Sequence, residues 1–427
     1  MELMILVGVL IALLVLGVPV AFALGIASLA TFMVLDIPLV VAFQRMAAGM
    51  NVFALMAIPF FVFAGDLMHR AGIAERLIRV ADAALGRTRG GLGQVNVGAS
   101  IMFGAVSGSA IASVSAIGST LGPMMREKGY DADYAVNVSA TSAITGLLIP
   151  PSHNMIIYAA AAGVSISLAD LFLAGIVPGI LTGLLLMVAA YVVAVKRNYP
   201  RGSFPGWRAF LIAFAQAIPG LMAAVIIVAG VLSGVFTPTE SSAMAVVYTI
   251  LVAVLVYRSL SWDAFVGAVT SSVRTTAMVM IIIGAAAAFG WLLALLEAPT
   301  QLADLLRGIT ENPLLLLLLI NLVLLLLGTF MDMAPLIIIT TPIFLPMATD
   351  LGMDPVQFGI MLLLNLGIGL VTPPVGSVLF VGCAIGKIPI EQTVRTIWPF
   401  YTALMLALAA VIYVPAISLW LPELLNR

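Results

Sequence analysis

The chain has 427 residues, 63% hydrophobic and 9% charged, with a mean hydropathy of +1.21. A soluble domain carries roughly 25% charged residues, so this composition excludes a water-soluble globule and belongs in lipid. The formal net charge of −1 selects no partner, the single cysteine Cys383 excludes an internal disulfide or a cysteine metal cluster, and two histidines argue against a histidine metal site.

The N-terminus (Met1-Glu2-Leu3-Met4) enters an apolar run with no basic segment before it, which reads as a retained first span rather than a cleaved signal. A bilayer needs about 20 apolar residues per helix. Such stretches cover 3–35, 51–68, 134–160, 171–195, 209–236, 241–257, 275–296, 356–385 and 397–420. Two others, 94–125 and 313–347, are too long for one span and break near their middles, at Gly104–Ser109 and Gly328–Asp332. Each has a proline near its exit, Pro123 and Pro346. Both are expected to be re-entrant hairpins.

The phrase Gly146-Leu-Leu-Ile-Pro-Pro151 returns as Gly369-Leu-Val-Thr-Pro-Pro374, each time inside a spanning run. Proline has no N–H, so Pro150 and Pro151 free the carbonyls of Gly146 and Leu147, and Pro373 and Pro374 those of Gly369 and Leu370. Lipid offers such groups no partner. Paired broken segments in two halves of a membrane chain point to the binding site of a secondary transporter. Spacing supports a repeat: Pro123 to Pro150 and Pro346 to Pro373 are both 27 residues, and Gly104 to Pro150 is 46 against 45 from Gly328 to Pro373. The first repeat is expected over 1–195, with its hairpin at about 94–125 and broken span at about 134–160. A linker and extra span fill 196–236. The second repeat covers 237–427, with its hairpin at about 313–347 and broken span at about 356–385.

The extra span would invert the second repeat. With the loop 69–91 in the cytoplasm, fifteen of eighteen Lys/Arg fall on that side, and only Arg45, Arg307 and Arg427 lie opposite. This is the basic asymmetry of cytoplasmic loops. It places the N-terminus in the cytoplasm and the C-terminus in the periplasm.

The carbonyls near Gly146 and Ile149, with the hydroxyls of Ser107 or Ser109, make an all-oxygen cage suited to a hard monovalent cation. The matching cage uses Gly328, Thr329, Gly369 and Thr372. The plain alternative is that these are small packing residues and proline kinks. After each Pro-Pro a new half-helix starts, whose free N–H groups favour an anion such as a carboxylate. Ser152, Asn154 and Ser377 can add hydrogen bonds there, with Gly376 beside Ser377. His153 reads as a packed residue before a proton carrier. Asp332, at the second hairpin tip, either strengthens a cage or caps the returning arm. Asp66 and Glu240 suggest capping or interfacial roles, and Arg274 is a candidate cavity residue. No ATP-binding loop, paired zinc-ligand motif, nucleophile–base pair or nucleic-acid patch is present, so energy must come from an ion gradient or a partner chain.

Several phrases together are specific: Ile58–Asp66 (IPFFVFAGD), Phe103–Ser113 (FGAVSGSAIAS), Gly146–Ser152 (GLLIPPS), Phe236–Ser242 (FTPTESS) and Leu370–Gly376 (LVTPPVG). In this order, across nearly the whole chain, they resemble the large membrane subunit of tripartite ATP-independent periplasmic (TRAP) transporters, the DctM-like family. The resemblance implies an all-α integral membrane protein of the bacterial inner membrane, an elevator-type transporter and not an enzyme, coupled to Na⁺ at two sites. It implies a small membrane subunit, a periplasmic solute-binding protein that delivers substrate, and an organic acid cargo: a C4-dicarboxylate, sialic acid, or another sugar or keto acid. Carried over, one Na⁺ site lies around Ser107, Ser109, Gly146, Ile149 and Pro151, and the other around Gly328, Thr329, Gly369 and Thr372. Rival readings are a stand-alone anion or proton-coupled exchanger, an intramembrane enzyme and a passive channel.

Overall fold

The computed structural model describes residues 2–310 and 312–425, which form α-helices and no β-strand. Arg427, expected opposite the basic side, lies outside them. Among the described residues, six helices are long and apolar enough to cross a membrane, or seven if one bent pair is counted as a span.

The first apolar stretch is not one span. Gly17, at φ +78°, and Pro19 split 3–35 into α1 (Glu2–Val15) and α2 (Val20–Val34), which pack on each other. A paired hairpin returns the chain to the side it left, so the count no longer fixes the side of the N-terminus. An unforeseen short helix, α3 (Leu39–Met50), follows, then α4 (Ala57–Arg70). The loop expected at 69–91 contains α5 (Ile73–Leu85), which buries Ile73, Leu77, Ile78 and Val80 and turns Glu75, Arg79 and Asp82 outward. A 13-residue amphipathic helix is invisible to a search for 20-residue apolar runs.

The first long stretch is a helical hairpin of α6 (Gly91–Ser107) and α7 (Ala110–Glu127). Gly108 makes the turn at φ +60°, a conformation that costs glycine little. Ser109 caps α7 by accepting the Ala112 N–H at 3.3 Å. The broken segment follows as α8 (Ala132–Ser142), the single turn α9 (Thr145–Leu148) and α10 (His153–Ala161). Ile149 is extended (φ −81°, ψ 125°), as a residue before proline prefers. Then come α11 (Leu168–Lys196), α12 (Trp207–Leu232), α13 (Pro238–Leu251) and α14 (Trp262–Leu295). The last begins 13 residues before the expected start at 275 and has 34 residues, about 51 Å at helical rise.

After α15 (Ala298–Arg307) comes the second hairpin, α16 (Pro313–Gly328) and α17 (Met333–Asp350). Its partner is interrupted between α18 (Pro355–Gly369) and α19 (Ser377–Gly386). The short α20 (Ile390–Val394) leads to α21 (Trp398–Tyr413) and α22 (Ala416–Leu425), bent by 56° where one span was expected.

Contacts divide the helices into two groups. The α6–α11 and α16–α22 segments pack among themselves, with α19 against both α7 and α8, and α10 against α17. The other group is α1–α4 with α12–α14. α5 bridges them, packing on α6 and α12, while α4 meets α6 and α10 and α14 meets α17. Matched polar clamps tie each hairpin to its broken helix. Asn96 donates to Ser139 Oγ at 2.7 Å and accepts from Ser142 at 3.2 Å, while Asn365 donates to Asn321 Oδ1 at 2.8 Å. Ser142 and Asn365 both sit four residues before the glycine of their double-proline phrase (146 − 142 and 369 − 365).

Candidate ion and substrate site

Each hairpin tip meets its own interrupted helix. A Cβ at Gly104 would lie 2.3 Å from the Gly146 Cα, and one at Gly369 would lie 2.6 Å from the Gly328 Cα. Backbone touches backbone at both places, which leaves no room for a side chain at Gly104, Gly146 or Gly369 and little at Gly328. The Val375 N–H donates to the Thr329 carbonyl at 3.1 Å, joining the second tip to its break. A Cβ at Gly108 would stand 2.7 Å from the Pro151 carbonyl oxygen. The Pro150–Pro151 and Pro373–Pro374 peptide bonds are both cis.

The freed carbonyls differ between the copies. Among the described residues, the Gly146 and Leu147 carbonyls take no hydrogen bond. In the second copy the Gly369 carbonyl accepts from the Thr372 N–H at 2.9 Å, and the Leu370 carbonyl accepts from Val378 at 3.0 Å and Leu379 at 3.3 Å. The first amides of α19 thus re-use an oxygen that the prolines released. The Gly328 carbonyl takes no bond among the described residues. Thr329 and Thr372 donate their hydroxyls to Leu326 and Ile368 carbonyls at 2.8 and 2.7 Å, which leaves their oxygen lone pairs free. In the first copy Ser109 is engaged as a cap, and Ser107 Oγ lies 3.5 Å from the Ser109 N–H. Ile149 turns its side chain against Gly179, and Pro151 is buried.

A cavity of about 460 Å³ opens where the two helix groups meet. Ser107, Ser109 and the start of α7 line it from the first tip, and Asp332, Met333 and Ala334 from the second. His153 and Asn154 reach it from the start of α10, so three helix N-termini converge on one space. Asn154 is 3% exposed and its amide has no hydrogen-bond partner among the described residues. Ser152, just outside the wall, is fully buried with an unpartnered hydroxyl. Its counterpart Ser377 also has an unpartnered hydroxyl, but it and Gly376 begin α19 away from the cavity. The second half contributes its hairpin tip instead.

Asp332 has both candidate roles in view. Its Oδ1 accepts the Met333 N–H at 2.9 Å at the start of α17, and the side chain faces the cavity. Glu240 closes a capping box with Thr237, as expected. Arg274 is exposed and absent from the wall, so it is not the cavity residue the sequence suggested. Asp66 and His69 of α4 and Ser271 and Thr275 of α14 do line it. Asp66 had a signal, as an acid inside a membrane segment. Ser271 and Thr275 lie four apart on one helix face, a pattern too common to single out.

Helical hairpins that touch interrupted helices beside a cavity of mixed polar and apolar lining, in an apolar all-helical chain, define a secondary-transporter subunit. The family profile of the tripartite ATP-independent periplasmic transporter, DctM component, matches residues 7–417. The protein YgiK of Salmonella typhimurium is 43% identical over 96% of this chain and 94% of its own. The sialic acid TRAP transporter large permease protein SiaM of Vibrio cholerae is 40% identical, covering 96% and 95%. The C4-dicarboxylate TRAP transporter large permease protein DctM of Rhodobacter capsulatus is 37% identical over the whole of both chains. The crystal structure of the Alcanivorax borkumensis YdaH transporter shares the fold, with a TM-score of 0.59 at 15% identity over 87% of each chain. The chain belongs to the DctM component family of tripartite ATP-independent periplasmic transporters.

Proposed function

We propose that this chain is the large permease subunit of a Na⁺-coupled importer of an organic acid anion in a bacterial inner membrane. A periplasmic binding protein delivers the cargo and a small membrane subunit completes the complex. The observation that carries the reading is the pair of unbonded carbonyls at Gly146 and Leu147 beside the first hairpin tip. Peptide oxygens left bare inside a membrane protein require a partner, and a hard cation supplies one. One Na⁺ sits among the oxygens around Ser107, Ser109, Gly146, Ile149 and Pro151. The other relies on Gly328, Thr329 and Thr372, with Gly369 fixing the close approach of the chains.

The anion occupies the cavity, its carboxylate at the N-terminus of α10 with the Asn154 amide. Such a terminus favours negative charge. Na⁺ binding orders the hairpin tip, and the tip is also a wall of the cavity. Ion and anion then bind cooperatively through one shared element. Two or more Na⁺ per carboxylate carry net positive charge inward, so membrane potential assists uptake. The group holding both hairpins slides against the α1–α4 and α12–α14 group.

Uptake into proteoliposomes tests the reading. Transport is expected only with an inward Na⁺ gradient, the small subunit and the loaded binding protein. Full activity without the two partners would favour a stand-alone exchanger, and uptake indifferent to Na⁺ a passive pore.

A further inference from the structure

The cavity wall carries a charge pattern that the transport reading leaves unused. Among the described residues no lysine or arginine lines it, whereas two carboxylates do. Asp66 Oδ2 is held by Arg70 Nε at 3.1 Å, and Asp332 Oδ1 by the Met333 N–H at 2.9 Å. Each acid therefore keeps one oxygen without a protein partner, and an ionised carboxylate oxygen only accepts. Ser115, Ser271 and Thr275 add hydroxyls with no hydrogen bond among the described residues. Of the three helix N-termini at the cavity, those of α7 and α17 are capped by Ser109 and Asp332, whereas that of α10 is not. Its N-cap Ser152 makes no side-chain cap bond, and the buried Asn154 amide is unpartnered.

We propose that the cavity seats one carboxylate at the start of α10 and a hydroxyl-bearing carbon chain along Asp66 and Asp332, so that the cargo is a polyhydroxylated monocarboxylate, a sugar acid, rather than a dicarboxylate. The proposal rests on the transport reading above. A substrate hydroxyl donating to Asp66 or Asp332 makes a charge-assisted hydrogen bond, about twice as strong as a neutral one. A second substrate carboxylate would meet the Asp332 carboxylate as a like charge, and the nearby Arg70 is already engaged by Asp66 at 3.1 Å; such repulsion is how a site rejects a competitor. Volume agrees: about 460 Å³ is the share of roughly fifteen waters, more than a four-carbon diacid fills.

The test is ligand-dependent thermal unfolding of the full-length detergent-purified chain with D-gluconate, succinate, hexanoate or D-glucose, in Na⁺ and in K⁺. Gluconate is expected to raise the midpoint most, with an apparent affinity roughly tenfold above succinate, the worth of one hydrogen bond to a charged group. Hexanoate, which lacks hydroxyls, and glucose, which lacks the carboxylate, bind more weakly. Asp332→Asn keeps a capping side chain and should lose roughly tenfold in gluconate affinity while closing the gap to succinate; Asp66→Asn should do the same. Succinate binding as tightly as gluconate, or gluconate affinity unchanged in Asp332→Asn, overturns the proposal. Stabilisation by Na⁺ without any by gluconate also overturns it and leaves Na⁺ coupling standing. Gluconate binding that is equal in Na⁺ and K⁺ supports the sugar-acid assignment and removes the coupling.

Discussion

Gly146 and Gly369 are defined by what a side chain would strike. The neighbour in each case is the backbone of the opposing hairpin arm, at Gly104 and Gly328, and backbone cannot swing aside as a long side chain can. Gly146→Leu and Gly369→Leu should therefore reduce Na⁺-driven uptake to background while membrane insertion persists, measured as transport per inserted chain. Asp332 separates two roles by substitution. As the cap of α17, Asn should keep the melting temperature and Ala should cost about 1 kcal/mol. The double prolines were legible from the sequence because a missing N–H is a property of the residue itself. Which released oxygen stays free was not legible. The Leu370 carbonyl is recaptured by amides eight and nine residues on, and that depends on how α19 turns back.

Length explains most of what the sequence reading gained and lost among the elements. Long apolar runs and their breaks located both hairpins and both interruptions. Short or amphipathic pieces escaped: α3, α5 and the division of 3–35. The segment 196–208, expected to be a plain linker, is clamped to the start of the first broken helix. Arg197 bonds Asp133 at 2.8 Å and Asp131 at 2.9 Å, and Tyr199 packs on Tyr130 and Tyr134. Tyr199 is pushed up to about 12 by burial, and its hydroxyl donates to Asp131 at 2.7 Å. Arg197→Ala leaves Asp133, with a side chain 7% exposed, without its cation. The variant should lose about 2 kcal/mol of stability, read as a lower unfolding midpoint. Two arginines counted from the sequence only by side of the membrane also pack on rings. Arg76 lies 3.7 Å over the Tyr257 ring, and Arg45 4.8 Å over Trp291.

At the level of the whole molecule, the exposed apolar surface reflects contact with lipid. Trp207, Trp262 and Trp398 are 73%, 75% and 64% exposed, and each opens a helix that follows a basic segment. Amphipathic rings collect at the membrane–water interface, which is the place these three exposed rings suit. An elevator motion would carry the first hairpin past α4. A Cβ at Gly65 would lie 3.2 Å from the Ser107 Cα, so α4 and the first hairpin tip are in direct contact, and the native Cys383 is buried. Gly65→Cys with Ser107→Cys, oxidised, should block uptake, and reduction should restore it to the level of the single variants. Undiminished transport in the crosslinked protein would argue against sliding. The most direct test of the central claim is the Na⁺ dependence of initial uptake in reconstituted vesicles. Two oxygen cages coupled to one anion predict a sigmoidal curve with a Hill coefficient above one and approaching two, whereas uptake independent of Na⁺ would contradict the account.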